Sequence, residues 1–76
     1  MGLLDKILQT TSEGEAATVA WSHLRFHLPG ENDRVRWFAM SDWARKAQLF
    51  YAAEDLKISP TGEIAGVDVT FWCDTP

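Results

Sequence analysis

Cysteine is almost absent from this sequence, since Cys73 is the only one among 76 residues. A single cysteine excludes a disulfide within the chain and is typical of a reducing compartment. Together with His23 and His27 it supplies three potential zinc ligands and no Cys-x-x-Cys pair, which is too few for a structural zinc site. We therefore expect neither a metal nor any other cofactor.

Long apolar segments are also missing. No stretch approaches the roughly 20 apolar residues that a membrane-spanning helix requires. The opening residues MGLLDKILQ lack the basic leading segment of a secretory signal. The sequence thus predicts a protein that does not engage a membrane and that resides in the cytoplasm.

Catalytic signatures are a third absence. The chain contains no phosphate-binding loop, no metal-ligand spacing and no paired nucleophile and base. A domain of this length also leaves little room for a substrate pocket. We expect no catalytic residues and predict that the protein is not an enzyme.

What the sequence does contain is the composition of a folded protein, with 46% hydrophobic residues and four tryptophans. The length corresponds to one small domain, 1–76, with an N-terminal helix and connector over 1–15 and a body over 16–76. A domain of this size buries only about 60% of the surface of its unfolded chain. A homodimer is one way to gain the missing stability.

The two ends of the chain show clear periodicity. The apolar side chains of residues 2–10 recur at helical spacing and predict a short amphipathic helix. Residues 64–73 alternate between apolar and polar, which predicts a strand with Val69 and Phe71 on its buried side and Trp72 on the other side.

The middle of the chain is ambiguous between helix and strand. Over 13–28, one helical stripe can be formed by Ala17, Ala20, Trp21, Leu24 and Leu28. The β-branched and aromatic residues and the apolar–polar alternation near Leu28 favour a strand over 18–28 instead. The turn residues PGEND and a returning strand over 34–40 then complete a β-hairpin, although the choice for 13–28 stays open.

Residues 42–56 are rich in good helix formers and predict the longest helix, capped by Ser41. A turn follows at 59–63, through which Ile58 can pair back onto the final strand. The predicted fold is α+β with the element order αββαβ. It has a three-stranded, mainly antiparallel sheet with the long helix on one face and the other face partly open.

Charge is unevenly distributed. The net charge is −4, yet residues 23–46 hold five of the seven Lys and Arg residues. In the hairpin register that separates apolar from polar side chains, Phe26 and Val35 pair on the buried face. Arg25 then lies opposite Arg36 on the other face.

Like charges opposed across a sheet repel each other. Two arrangements relieve that repulsion. An acidic partner can lie between the arginines, or they can form ion pairs within the chain with Glu31, Asp33 or Asp68.

The tryptophans divide into two pairs. Trp37 and Trp43 are predicted to lie in the core, whereas Trp21 and Trp72 are either exposed or covered by the N-terminal helix. Exposed tryptophan beside arginine is typical of protein–protein hot spots. The candidate partner-binding residues are therefore Arg25, Arg34, Arg36, Trp72, Trp21 and His27.

These features favour a small protein-binding module that acts as a stoichiometric inhibitor or an adaptor of a host protein complex. In size, charge and lack of motifs, the chain is similar to small phage-encoded inhibitors such as anti-CRISPR proteins, and no residue motif carries that resemblance. One alternative is a homo-oligomeric accessory protein. Another is a single-stranded nucleic-acid binder that uses the arginine and aromatic side chains, which a pI near 4.9 disfavours.

Overall fold

Helices and strands both occur within residues 2–73, the part of the chain that the structure, a computed structural model, describes. Met1 and residues 74–76 belong to the predicted domain of 1–76 but lie outside the described residues. The elements are α1 (Leu3–Ser12), β1 (Ala17–Ala20), α2 (Trp21–Leu24), a 3₁₀ turn (Arg25–His27), α3 (Asp33–Lys46), β2 (Phe50–Ala53) and β3 (Asp68–Trp72).

The three strands form one antiparallel sheet in the order β1-β3-β2, so the last strand of the sequence lies in the centre. On one face of β3, Val69 and Phe71 are buried. Ile7 of α1 joins the same core, and Trp43 of α3 packs edge-on against Phe71 with ring centroids 5.6 Å apart. The prediction of an α+β fold with helix packed on a three-stranded antiparallel sheet is confirmed.

The predicted β-hairpin and its place in the order αββαβ are wrong. Residues 18–28 form a strand only as far as Ala20, after which α2 and the 3₁₀ turn follow, and the predicted return strand over 34–40 is helical. The buried side chains of this segment belong to the predicted helical stripe; they are Trp21, Leu24 and Leu28. Within 13–28, the strand interpretation is therefore correct only up to Ala20, and the helical interpretation is correct from Trp21 onwards.

Helix α3 forms where a strand was predicted because its N-terminus is capped. The side chain of Asn32 accepts a hydrogen bond from the backbone N–H of Val35 at 3.0 Å, and Asp33 lies in the first turn. Met40 and Ala44 are fully buried at helical spacing on the core side of this helix. The strand-favouring aromatic residues in RVRWF are outweighed by this cap and this packing.

The predicted helix over 42–56 is displaced. Ser41 lies inside α3 rather than at its start, and the helix ends at Lys46. Gln48 adopts a positive φ of 60°, and the N–H of Leu49 donates to the carbonyl of Ala44 at 2.8 Å. This hydrogen-bonded reversal turns the chain into β2.

Strand β2 consists of FYAA, in which Phe50 and Tyr51 favour a strand and the two alanines do not. It forms because it pairs along β3, with Tyr51 opposite Phe71 and Ala53 opposite Val69. The predicted bridge between the residues flanking the 59–63 turn is also present, between Ile58 and Ile64. Within residues 2–73, no helix combines the length and the apolar character that crossing a bilayer would need.

Candidate functional site

Arg25 and Arg36 converge on one buried carboxylate. The Nε of Arg25 and the Nη1 of Arg36 each donate to Oδ1 of Asp33 at 3.0 Å. The other carboxylate oxygen, Oδ2, accepts the backbone N–H of Ile64, also at 3.0 Å. We call Asp33, Arg25 and Arg36 the Asp33 cluster. It joins the 3₁₀ turn, α3 and the 62–64 loop.

The charge of Asp33 is well compensated. Its side chain is only 2% exposed, and this burial acts to raise its pKa. The hydrogen bond from Ile64, the nearby indole of Trp21, the hydrogen bond from Arg36 and the charge of Arg25 outweigh that effect. The pKa of Asp33 therefore lies below its ordinary value of 3.8.

The 62–64 loop also contacts the start of α3 directly. The N–H of Arg34 donates to the carbonyl of Gly62 at 3.0 Å. Gly62 has a φ of +82°, and a Cβ at this position would lie 2.7 Å from Nδ2 of Asn32. Only glycine leaves room for the capping side chain, so the loop and the helix cap fit together.

Beside this cluster a phenylalanine projects into solvent. Phe26 is 80% exposed, although it belongs to the 3₁₀ turn that follows the buried residues of α2. The guanidinium carbon of Arg25 lies 5.6 Å from the centroid of its ring. Because Asp33 fixes Arg25, the Phe26 ring rests against a guanidinium whose position is already set.

Phe26 also lines a groove of about 600 Å³ along β1. One wall is formed by α1, through Leu3, Lys6, Ile7 and Thr10, and the other by His23, Phe26 and His27. All four residues of β1 contribute to it, whereas among the described residues no member of the neighbouring strand β3 lines it. The groove, which we call the β1 groove, therefore lies at the free edge of the sheet.

The open sheet face is a separate surface on the side of the sheet opposite the core. The outward residues of the three strands are Thr18, Ala20, Phe50, Ala52, Asp68, Thr70 and Trp72. Phe50 and Trp72 stack there with centroids 5.9 Å apart and an angle of 21° between the rings. The hydroxyl groups of Thr18 and Thr70 hydrogen-bond at 3.0 Å. Trp72 thus points away from the core, as the alternation of the last strand predicts.

The six candidate residues do not form one site. Arg25 and Arg36 are brought together, as predicted, but by the chain's own Asp33 rather than by a partner. His27 lines the β1 groove, Arg34 is exposed near the start of α3, and Trp72 lies on the open sheet face.

Trp21 is buried instead of exposed, with 1% of its surface accessible. Its ring packs against Trp37 with centroids 5.3 Å apart. Its indole N–H lies near Asp33 without reaching hydrogen-bonding geometry, and it finds no other hydrogen-bond partner. In this conformation Trp21 belongs to the core and is not available to a partner.

Two features of the surface were missed by sequence reasoning. Phe26 was placed on the buried face of a hairpin, and Lys6 was given no role. The signal for Phe26 was present, because a helical stripe through Trp21, Leu24 and Leu28 leaves position 26 outside it. Lys6 has no comparable signal, since only the packing of α1 beside β1 places it in the groove.

Residues 2–73 contain no group of three or more His, Cys, Asp or Glu side chains placed to hold a metal ion. Asp33, the buried carboxylate of this part of the chain, is engaged by two arginines and a backbone N–H. What the site offers is an exposed aromatic ring, a groove and a strand edge.

Comparison with known proteins adds no relative: no protein-family model matches the chain, and no curated protein or solved structure matches it at a significant level.

Proposed function

We propose that the chain is a small, non-enzymatic protein-binding module that acts in the cytoplasm as a stoichiometric inhibitor or an adaptor of a larger protein complex. The observation that carries this proposal is Phe26, which is exposed on the 3₁₀ turn, rests against Arg25 and lines the β1 groove. The inhibitor form of the proposal also draws on the similarity in size, charge and lack of motifs to small phage-encoded inhibitors.

Phe26 has the properties of a binding anchor. Removing a phenylalanine side chain from water contributes about 1.5–3 kcal/mol, and this contribution is not used within the monomer. Because Asp33 already orients Arg25, little side-chain freedom remains to be lost when a partner packs on the pair. Aromatic and arginine side chains that are held in this way are the residues that dominate protein interfaces.

Charge favours a protein over a nucleic acid as the partner. The net charge is −4, and two of the four arginines, Arg25 and Arg36, are neutralised by Asp33. Arg45 is likewise paired, with Asp42 at 2.8 Å. Few cations are left to contact phosphates, which supply most of the affinity for nucleic acid.

The test is affinity capture from a lysate of the organism that encodes the chain, with nuclease added. Three baits are compared: the wild type, Phe26→Ser and Phe38→Ser. Phe38 is the matched control, because it is also a phenylalanine with high exposure, 68%, but lies on α3 and does not line the β1 groove. Near-ultraviolet circular dichroism verifies that both variants retain the fold.

We expect one protein or complex to be retained in stoichiometric amounts by the wild type and by Phe38→Ser, and to be lost with Phe26→Ser. Equal capture by all three baits would remove Phe26 from the interface. Capture that nuclease abolishes would assign the chain to nucleic-acid binding. Self-association alone, seen by analytical ultracentrifugation, would assign it to a homo-oligomeric accessory role.

A further inference from the structure

The phase of hydrogen bonding along β1 shows which of its backbone groups are free. The N–H of Trp21 donates to the carbonyl of Val67 at 2.8 Å, directly beyond the last β1–β3 pair of Ala20 with Asp68. In an antiparallel pair, hydrogen-bonded and non-hydrogen-bonded residues alternate. Ala20 and Thr18 are therefore in the non-hydrogen-bonded phase. The N–H and C=O of Thr18 and the N–H of Ala20 point away from β3, towards the groove.

The side chains of this edge lack the protection that charged residues and proline give against strand pairing, although the strand is short, with four residues. Its sequence, ATVA, contains no charge, proline or glycine. The groove leaves the whole length of the strand accessible, with α1 on one side and the 3₁₀ turn on the other. An added strand would lie about 4.8 Å from β1.

The opposite edge of the sheet, β2, is a different environment. The Tyr51 hydroxyl hydrogen-bonds to Ser41 of α3 at 2.7 Å. Among the described residues that line the pocket next to β2, the one cation is Arg45, which is already paired with Asp42. The β2 edge can therefore serve as an internal control for binding at the β1 edge.

The charge of the β1 groove indicates what it accepts. Lys6 contributes a cation, and His23 and His27 contribute imidazole N–H donors. Among the described residues that line the groove, none carries a carboxylate, although the chain as a whole is acidic. A second copy of this chain docking through the same edge would bring the two Lys6 side chains and their imidazoles together, which opposes a β1–β1 dimer.

We infer that the edge of β1 is a strand-addition site for an extended, acidic segment of the partner protein. The segment pairs with the free backbone groups of Thr18 and Ala20, and its carboxylates meet Lys6 and the two histidines. Backbone pairing supplies affinity in this binding mode, and the side chains of the groove supply selectivity. This inference rests on the proposed function and names the chemistry of the partner.

The probe is a library of random twelve-residue peptides displayed on phage and selected on the wild-type protein at low salt. Enriched peptides are synthesised and titrated into isotope-labelled protein. We expect them to be rich in Asp and Glu and to shift the amide resonances of Thr18 and Ala20. The amides of Tyr51 and Ala53, which face outward from the β2 edge, serve as the internal control.

Ala20→Pro is the decisive variant. Ala20 has a φ of −67°, which a proline adopts without strain, and its N–H makes no bond to β3. The variant therefore keeps the fold, removes one outward donor and places a ring where the added strand would lie. We expect at least about a tenfold loss of peptide affinity, whereas Ala20→Ser, which keeps the N–H, stays near wild type.

Lys6→Glu tests the charge of the groove, with Lys57→Glu as the matched control at an exposed lysine outside it. We expect about fivefold weaker binding of acidic peptides by the first variant and little change with the second. Enrichment of neutral or basic peptides, full affinity in Ala20→Pro, or no enrichment at all would overturn the inference. If the Phe26-dependent partner still binds Ala20→Pro, strand addition is wrong while the protein-binding function stands.

Discussion

Two aspartates of α3 each hold two cations at nearly the same distances, yet their surroundings differ. Asp33 receives Arg25 and Arg36 at 3.0 Å with its side chain 2% exposed. Asp42 receives Arg45 at 2.8 Å and Lys46 at 3.0 Å with its side chain 44% exposed. Distance alone would rank these clusters as equals. Burial separates them, because a buried charge that loses its partner cannot be rescued by water, whereas an exposed one can.

The two clusters also differ in what they connect. Asp42 and its cations lie within one helix, three and four residues apart. Asp33 joins α3 to the 3₁₀ turn and to the backbone of Ile64. Asp33 therefore positions the surface that carries Phe26, and Asp42 does not.

Asp33→Asn should produce the largest change. The substitution leaves two half-buried guanidiniums without their counter-charge, for which we expect a loss of about 3 kcal/mol in the free energy of unfolding. Urea denaturation followed by tryptophan fluorescence measures this loss. A change no larger than that of Asp42→Asn would mean that burial does not distinguish the clusters.

The pH dependence of stability should follow from the lowered pKa of Asp33. This pKa is lower in the folded protein than in the unfolded chain. Ionised Asp33 therefore stabilises the fold at pH values above 3.8, the ordinary pKa of the group. That contribution is lost as the pH falls through the folded-state pKa. We expect the stability advantage of the wild type over Asp33→Asn to be constant between about pH 7 and 5 and to shrink below about pH 4.

Urea titrations of both proteins across this range measure the difference, in which the other titrating groups largely cancel. An advantage that grows on acidification would show that Asp33 is not stabilised as a carboxylate.

Gly62→Ala should have an intermediate effect, because it disturbs the loop that contacts Asp33 without removing a charge. The positive φ of Gly62 and the closeness of its missing Cβ to Asn32 predict a loss of about 1–2 kcal/mol. Gly66→Ala is the matched control, since a Cβ there meets nothing within 4 Å. Equal thermal midpoints for the two variants would contradict the proposed fit between loop and helix cap.

Asp42→Asn should have the smallest effect. Hydrogen bonds from Lys46 and then Arg45 lower the pKa of Asp42, but all three groups are exposed and screened by solvent. We expect a denaturation midpoint close to that of the wild type, and no difference between them in high salt. A marked loss of stability would assign Asp42 a structural role like that of Asp33.

Sequence reasoning succeeded where the spacing of the apolar residues fits either a helix or a strand, but not both. The Leu and Ile residues of α1 and the alternation of Val69, Phe71 and Trp72 in β3 each fit a single type of element, and both elements are present. It failed over residues 21–40, where apolar residues fit a helix and a strand equally well. Asn32 was assigned to a turn, although its side chain also makes it a good helix cap.

The candidate site was predicted in part for the same reason. Proximity of Arg25 and Arg36 was expected from a hairpin register, and the structure brings them together through the 3₁₀ turn and α3 instead. Ion pairing with Asp33 was one of the two arrangements considered. The residues now central to the proposal, Phe26 and Lys6, depend on how separate elements pack, which periodicity does not encode.

By itself, the sequence determined the α+β class, the amphipathic N-terminal helix, the half-buried final strand and the outward position of Trp72, because each follows from local periodicity. Only the tertiary structure decided that FYAA is a strand, that Trp21 is core and that Phe26 is surface. It also decided that Asp33 captures both arginines. These outcomes depend on contacts between residues distant in sequence, whose energies exceed the small local preferences that distinguish helix from strand.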